Sequence, residues 1–209
     1  MIEIKNICKS FGENKVITNF SYKIEDGLMI AITGKSGCGK STLLNILGLL
    51  DIDYSGEILY NEKLISKQSE KKRNEYIRNN INYLFQNYAL IDSETVEYNL
   101  LLALEYTKMS KNEKIKKIND ALKKVDLTDF NSKKIFTLSG GEQQRIALAR
   151  IMLKPGDVVL ADEPTGNLDK ENSDAVMKIL KELQKQGKTI IIVTHNSNLA
   201  KQFNDVINL

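Results

Sequence analysis

Hydrophobic and polar positions alternate near the start of the chain, and largely apolar runs follow further along. The alternation covers residues 3–7 and 16–24 with a turn at Gly12 between them, which predicts a small antiparallel sheet. Apolar runs bounded by turn residues are typical of strands that are buried on both faces of a parallel sheet. Three such runs occur, at residues 28–32, 158–161 and 189–193. We therefore expect two kinds of sheet in one chain.

Helical patterns occupy the segments between the apolar runs. Residues 43–50 have helical spacing, and residues 171–186 are expected to form a helix that ends at Gly187. The pattern of residues 87–134 also predicts helical structure. Two pairs match the capping box that begins a helix, namely Ser110 with Glu113 and Ser139 with Glu142. Strand and helix thus alternate at both ends of the chain around a helical lobe, which predicts an α/β core with a helical insertion.

Composition limits the possible functions. The 209 residues fit either one domain or one domain with an inserted lobe, and 30 Lys and Arg against 27 Asp and Glu leave a net charge of only +3. That charge gives no reason to expect a nucleic-acid partner. Two cysteines are too few for a disulfide framework. No apolar run approaches the length of a membrane span, and the first residues lack the features of a signal peptide, so we expect the chain to stay in the cytoplasm. The charged segment 61–80 is expected to be a solvated helix or loop.

Residues 34–41 match the phosphate-binding pattern G-x-x-x-x-G-K-[ST]. Glycines let such a loop curl so that backbone N–H groups point inward, and the following helix adds the positive end of its dipole. In this pattern Lys40 would bridge the β- and γ-phosphates of a nucleotide, and the hydroxyl of Ser41 would coordinate Mg²⁺. The loop falls between a buried strand and an amphipathic helix, so we expect a nucleoside triphosphate site here.

Asp162 and Glu163 come directly after the second apolar run. The end of a parallel strand lies at the carboxyl edge of the sheet, beside a loop that binds phosphate. We expect Asp162 to hold Mg²⁺ through water and Glu163 to polarise the attacking water. An acidic pair after a strand is a weak signal alone, but together with the phosphate loop it predicts a nucleotide hydrolase.

The segment 138–145 reads LSGGEQQR and resembles the signature sequence of the ATP-binding cassette (ABC) proteins. A serine, two glycines and a helix N-terminus form a second anion-binding surface. The resemblance implies an α/β P-loop NTPase (RecA-like) fold, in which a parallel-sheet core carries an N-terminal antiparallel β subdomain and an inserted α-helical subdomain. It implies a single ABC ATPase domain over residues 1–209, with the core and β subdomain at about 1–86 and 155–209 and the helical subdomain at about 87–154.

Further segments resemble the family in its order along the chain. Gln86 is similar to the Q-loop glutamine, which in the family contacts Mg²⁺ and the attacking water, and His195 is similar to the switch histidine that contacts the γ-phosphate. Gly166 and Asn167 lie in the D-loop and depart from its commonest form, SALD. Phe11 occupies the place of an aromatic residue that stacks on adenine, and packing in the core is the alternative for it.

The resemblance implies an ATPase that uses ATP and Mg²⁺. The implied catalytic residues are Lys40, Gln86, Glu163 and His195, and the implied metal ligands are Ser41, Gln86 and Asp162. The implied nucleotide contacts are Phe11, Gly34, Lys35, Ser36, Gly37, Cys38, Gly39, Lys40, Ser41, Thr42, Ser139, Gly140, Gly141, Glu142 and Asp169.

The family also implies partners. Its cassettes pair head to tail, so Ser139 and Gly141 of one chain would close on the nucleotide held by Lys40 and Ser41 of a second copy. Transport would need a separate integral-membrane permease. The chain would then lie on the cytoplasmic face of a bacterial membrane through that permease alone, without nucleic acid. Residues 87–91 would either face the permease or pack internally.

Three segments resemble the MacB/LolD-like group of cassettes, namely residues 47–51, 83–90 and 161–169. Within that group, residues 85–91 look closest to exporters of bacteriocins or antimicrobial peptides. The resemblance implies export of a peptide, a lipoprotein or a drug. The alternatives are a regulatory cassette of the cell-division type and a soluble ABC ATPase that acts on ribosomes or DNA.

Overall fold

A computed structural model describes residues 1–166, 168–203 and 205–209 of the chain. Its strands are β1 (Ile2–Phe11), β2 (Asn14–Ile24), β3 (Met29–Thr33), β4 (Ser55–Tyr60), β5 (Ile81–Leu84), β6 (Val158–Asp162), β7 (Thr189–Val193) and β8 (Asp205–Asn208). Its helices are α1 (Lys40–Leu47), α2 (Glu70–Asn80), α3 (Val96–Leu101), α4 (Lys111–Lys124), α5 (Gly140–Leu153), α6 (Lys170–Lys185) and α7 (Ser197–Ala200). Short 3-10 turns cover Leu102–Leu104 and Ile135–Thr137. Among these described helices, none combines the length and the apolar character that a membrane crossing requires.

The alternating segments near the start of the chain form an antiparallel sheet in the order β2-β1-β4. β1 is the middle strand, and its Ile2 lies opposite Ile24 of β2 and Tyr60 of β4. Ile2 and Ile4 are both buried, because the two-residue period of a strand places them on the same face. The alternating pattern therefore predicts this sheet correctly.

The three apolar runs form central strands of a parallel five-stranded sheet with the order β5-β6-β7-β3-β8. Every residue of β7 is buried. Ile191 and Val193 of this strand pack in a cluster with α1 and the antiparallel sheet, whereas Ile190 and Ile192 pack in a second cluster with α3–α6. Layers on both faces explain why the run is apolar throughout. The predicted fold class is confirmed.

Two helices of the lobe, α4 and α5, begin where the capping boxes predict. Ser110 caps α4 and Ser139 caps α5, each in a reciprocal bond with the glutamate three residues later. The lobe packs around buried side chains such as Leu100 of α3. The charged segment 61–80 becomes helical only from Glu70, and no residue of α2 is fully buried, which agrees with its solvated character.

Strand β8 has no pattern in the sequence that predicts it. Only Ile207 is buried in it, so it has no periodic signal. β8 pairs with β3, and the backbone N–H of Leu209 donates to the carbonyl of Thr33 over 2.9 Å. The last residue of the chain is therefore held beside the loop that follows β3.

Candidate nucleotide-binding and hydrolysis site

The glycine-rich loop connects β3 to α1 and has little space beside its backbone. Gly34 has a φ of +146°, and a Cβ there would lie 2.5 Å from the backbone oxygen of Leu209 and 2.7 Å from Sγ of Cys38. Gly39 has a φ of +100°, and a Cβ there would lie 2.7 Å from Cγ1 of Val16. Only glycine satisfies both the backbone conformation and the close approach. The curl of the loop is thus set by its contacts with the chain terminus and with β2.

Lys40 is the first residue of α1, and its side chain turns back over the loop. The residue is only 9% exposed, and its Nζ donates to the carbonyl oxygens of Gly34 over 3.0 Å and Lys35 over 2.8 Å. Carbonyl groups orient an ammonium without cancelling its charge. Lys40 therefore presents a fixed positive charge at the start of a helix, where the helix dipole also favours an anion.

Ser41 and Asp162 form an oxygen pair next to the loop. The hydroxyl of Ser41 donates to Oδ1 of Asp162 over 3.1 Å, and burial raises the pKa of Asp162 while this bond opposes the shift. Within the described part of the chain, no cluster of three or more His, Cys, Asp or Glu side chains could hold a metal ion by itself. Mg²⁺ commonly uses one or two protein ligands together with substrate phosphates. The pair therefore fits a Mg²⁺ ion that binds with a nucleotide.

Glu163 follows Asp162 in an unusual backbone conformation. Its φ is +48°, a region that residues other than glycine rarely adopt and that concentrates at functional sites. The backbone N–H of Glu163 donates to the carbonyl of Val193 over 3.0 Å. One carboxylate oxygen, Oε2, lies 2.9 Å from Nδ1 of His195, and the glutamate side chain is 17% exposed against 69% for the histidine. The pair is held at the ends of the neighbouring strands β6 and β7.

A single pocket of about 510 Å³ brings these groups together. The residues expected from the sequence that line it are Phe11, Ser36, Gly37, Gly39, Lys40, Ser41, Thr42, Gln86, Glu163 and His195. Gly34, Lys35 and Cys38 belong to the loop without lining the pocket. Val16 and Val193 line it too, although in the sequence they look like ordinary strand residues. The pocket thus combines a phosphate loop, the carboxylate of Glu163 and a histidine, whereas Asp162 contacts the loop through Ser41 without lining the pocket.

Phe11 lies at the end of β1 and is 56% exposed, so the alternative of core packing is wrong. The Nζ atom of Lys9 lies 4.9 Å from the centre of its ring. The ring lines the same pocket as Lys40. An exposed aromatic face at this position is suited to stack on a flat base.

The start of α5 lies outside this pocket. The hydroxyl of Ser139 accepts from the backbone N–H of Glu142 over 3.3 Å, and the Glu142 carboxylate accepts from the N–H and hydroxyl of Ser139 over 2.8 and 2.7 Å. These bonds lower the pKa of Glu142. Neither Ser139 nor Gly140, Gly141 or Glu142 lines the pocket with Lys40. One chain therefore presents two separate surfaces that are suited to bind an anion.

Asp169 is the N-cap of α6 and is also outside the pocket with Lys40. Its carboxylate accepts from the backbone N–H and the side-chain amide of Asn172, each over 2.8 Å. A Cβ on Gly141 would lie 3.1 Å from Oδ1 of the same Asn172, so the start of α5 faces the start of α6. The D-loop departure at Asn167 lies outside the described residues.

Gln144 connects α5 to the acidic pair, a contact that the sequence patterns do not indicate. Its side chain is buried, and its Nε2 donates to the backbone carbonyl of Pro164, the residue after Glu163. A polar residue on the buried side of a helix, within the signature segment itself, is the signal that could have identified it. The bond ties the helix that carries Ser139 to the turn that carries Glu163.

Comparisons with known proteins agree with this geometry. Residues 17–166 match the family model described as ABC transporter. An uncharacterized ABC transporter ATP-binding protein of Methanocaldococcus jannaschii is 41% identical over 213 residues, with 100% of this chain and 95% of that protein covered. The dimeric post-hydrolysis structure of the ATP-binding cassette MJ0796 bound to ADP and Pi superposes with a TM-score of 0.91 at 34% identity, covering 100% of this chain and 94% of that one.

A second group of relatives is longer. The macrolide export ATP-binding/permease protein MacB of Campylobacter jejuni is 38% identical over 209 residues, which are 100% of this chain but 33% of that protein. The chain thus spans about a third of the length of these MacB relatives.

The position of Glu163 predicts its effect on hydrolysis. We expect E163Q to bind ATP with parental affinity and to lower the turnover number by about 10²–10⁴-fold, because the amide can still accept from His195 but cannot take a proton from water. Steady-state ATPase assays and equilibrium nucleotide binding measure the two effects. E182Q, at an exposed position of α6, is the charge-matched control and should retain parental turnover. Parental turnover in E163Q would contradict the assignment of Glu163 as the base.

Proposed function

The chain belongs to the ABC transporter family, and we propose that it drives a separate membrane permease by hydrolysing ATP between two copies of itself. By family and fold it is an ABC ATPase. One observation carries the proposal. The pocket with Lys40 and Glu163 and the anion-binding start of α5 with Ser139 are separate surfaces of the same chain.

A second copy of the chain would complete each nucleotide site. The first amides of α5 and the helix dipole favour an anion, yet Ser139 and Gly141 do not share the pocket with Lys40. A head-to-tail pair places the start of α5 from one copy against the pocket of the other, and symmetry makes both sites equivalent. The dimeric assembly of the related cassette bound to ADP and Pi supports this arrangement.

The side chains of the pocket would each have a different role in hydrolysis. Lys40 and the loop amides bind and orient the β- and γ-phosphates. Glu163 takes a proton from the attacking water or orients it, and Nδ1 of His195 holds its carboxylate in place. Ser41, Asp162 and Gln86 would hold Mg²⁺, which neutralises phosphate charge when bound. Negative charge on the transferred phosphoryl oxygens would then be stabilised by Lys40 and by the α5 amides of the partner.

An exposed apolar surface that includes Leu50, Tyr98 and Leu102 is the proposed docking site of the permease. Leu50 and Leu102 are 51% and 38% exposed and line one cleft of about 340 Å³. Tyr98, one helical turn before Leu102, is 45% exposed. Tyr88 and Leu90 instead pack against the core, so only part of segment 87–91 is free for a partner. Grouped apolar side chains on a surface are typical of protein interfaces.

We propose export of a peptide, a lipoprotein or a drug as the transport function, with the permease holding the chain on the cytoplasmic face of the membrane. The similarity to proteins named for macrolide export and for a combined ATP-binding/permease activity supports this class. Residues 87–154 are proposed to move as a helical subdomain against residues 1–86 and 155–209. Gln86 lies at this proposed boundary and lines the nucleotide pocket.

Closure of two copies around ATP predicts a trapped dimer. With ATP and Mg²⁺, E163Q should run as a dimer in size-exclusion chromatography, because hydrolysis no longer releases the second copy. In the double variant E163Q/S139F the added ring should block the partner phosphate and leave monomers. Ser110 forms the same capping box in α4, so E163Q/S110F loses an equivalent cap and should still dimerise. Equal dimer yields in all three variants would contradict the head-to-tail site.

Docking on the apolar surface predicts a defect in membrane retention. In the producing cell, the tagged chain should remain with salt-washed membranes and should co-purify with a polytopic membrane protein. L102D should neither remain with the membranes nor co-purify with that protein, because the substitution places a charge in the apolar contact. V206D is the control, since Val206 on β8 is 42% exposed and lies on another element. Equal retention of L102D and V206D, measured by quantitative immunoblotting, would exclude this surface.

A further inference from the structure

The turn after Gln86 has a strained backbone. Tyr88 and Ala89 are consecutive, and their φ angles are +62° and +47°. Side chains disfavour this left-handed region, and residues remain there only where the surrounding structure holds them. Gln86 lines the nucleotide pocket and precedes Tyr88 by two residues, so it is close in sequence to the strained turn.

Arg150 of α5 holds both strained residues. Its Nη1 donates to the carbonyl of Ala89 over 2.5 Å, and its Nη2 donates to the carbonyl of Tyr88 over 2.7 Å. Two N–H groups on a planar, rigid fork fix the direction of both carbonyls, whereas the ammonium of a lysine is a single rotating point that fixes their direction less well. Burial lowers the pKa of Arg150, but a guanidinium remains charged at neutral pH.

The same turn contacts the signature end of α5. A Cβ on Gly140, the first residue of the helix, would lie 3.6 Å from the hydroxyl of Tyr88. The helix therefore touches the turn at two places, through its first residue and, about three helical turns later, through Arg150. A shift of α5 would be passed to the turn at both contacts.

We propose that Arg150 is a positioning residue for ATP hydrolysis, which holds Gln86 in the nucleotide pocket by fixing the left-handed turn at Tyr88 and Ala89. The proposal rests on the role proposed for Gln86 above. Arg150 itself is outside the pocket, so it acts on catalysis without contacting nucleotide. If Arg150 only supported the fold, its substitution would lower the stability of the protein and leave the turnover of the folded protein unaltered.

Four variants of the full chain test the assignment, each with ATP turnover, ATP affinity and thermal unfolding measured. R150M keeps the length of the side chain and removes the fork, so kcat should fall about 10–100-fold while ATP affinity changes less than about twofold. R150K keeps the positive charge but lacks the planar fork, so its kcat should lie between those of R150M and the parental chain. K154M removes the cation at the residue that directly follows α5, which donates to the carbonyls of Ile77 and Ile81 instead, and it should keep parental kcat.

The fourth variant addresses the mechanism. Glycine adopts a positive φ without a side-chain clash, so A89G in the R150M background should recover part of the lost kcat if Arg150 works by holding the turn. Parental kcat in folded R150M, an equal loss in K154M, or no recovery in R150M/A89G would overturn the proposal. If R150M does not fold, R150K and R150K/A89G give the same comparison.

The same measurements on Q86A distinguish the proposed role of Arg150 from the proposed role of Gln86, on which it rests. Loss of turnover in both Q86A and R150M supports the assignment. A loss in Q86A with parental kcat in R150M overturns only the role of Arg150. Parental kcat in Q86A shows that the role of Gln86 is wrong, and the role of Arg150 through Gln86 is then wrong with it.

Discussion

The space beside the backbone of residues 34–39 is the constraint on which the site depends. Gly34 lies under the last residue of the chain, Leu209, and Gly39 lies against Val16 of β2, at distances that leave no room for a Cβ. The terminal strand β8 and the antiparallel sheet therefore shape the phosphate loop from two sides. Lys40 can turn back onto the loop carbonyls only because the loop is curled in this way. The positive charge that attracts a triphosphate is thus a product of tertiary packing as much as of the local sequence.

Helix α5 joins the two anion-binding surfaces of the chain. It begins at the capped Ser139 and is tied by Gln144 to the carbonyl after Glu163 and by Arg150 to the turn after Gln86. A nucleotide bound by the partner at the start of this helix would act on an element that also supports Glu163 and Gln86, which are proposed to act on the attacking water. Such a connection is a physical route by which closure of two copies and hydrolysis can depend on each other.

Much of this arrangement can be predicted from the sequence because the signals are local. The three apolar runs predict the central parallel strands, the serine–glutamate pairs predict the starts of α4 and α5, and the glycine-rich loop predicts the position of Lys40. Features that depend on contacts between residues far apart in the sequence cannot be predicted from such local patterns. β8 has one buried residue and is placed by pairing with β3, the left-handed backbone of Glu163 is held by a bond to β7, and Arg150 is 61 residues from the carbonyl of Ala89 that it binds. Val16 looks like any strand residue until the fold brings it to the pocket.

A mixing experiment tests most directly whether the nucleotide site is shared between two copies. K40A disrupts the half of the site at the phosphate loop, and S139F disrupts the half at the start of α5. Neither variant should therefore hydrolyse ATP by itself. A mixed dimer, however, contains one site in which both halves are intact. Equal mixing should restore turnover to as much as about one quarter of the parental rate when copies pair at random. Mixing K40A with E163Q provides the control, because both residues belong to the same half and no intact site can form. Recovery in the first mixture only is the result that a shared site predicts, and a rate no higher than the sum of the separate variants would contradict it.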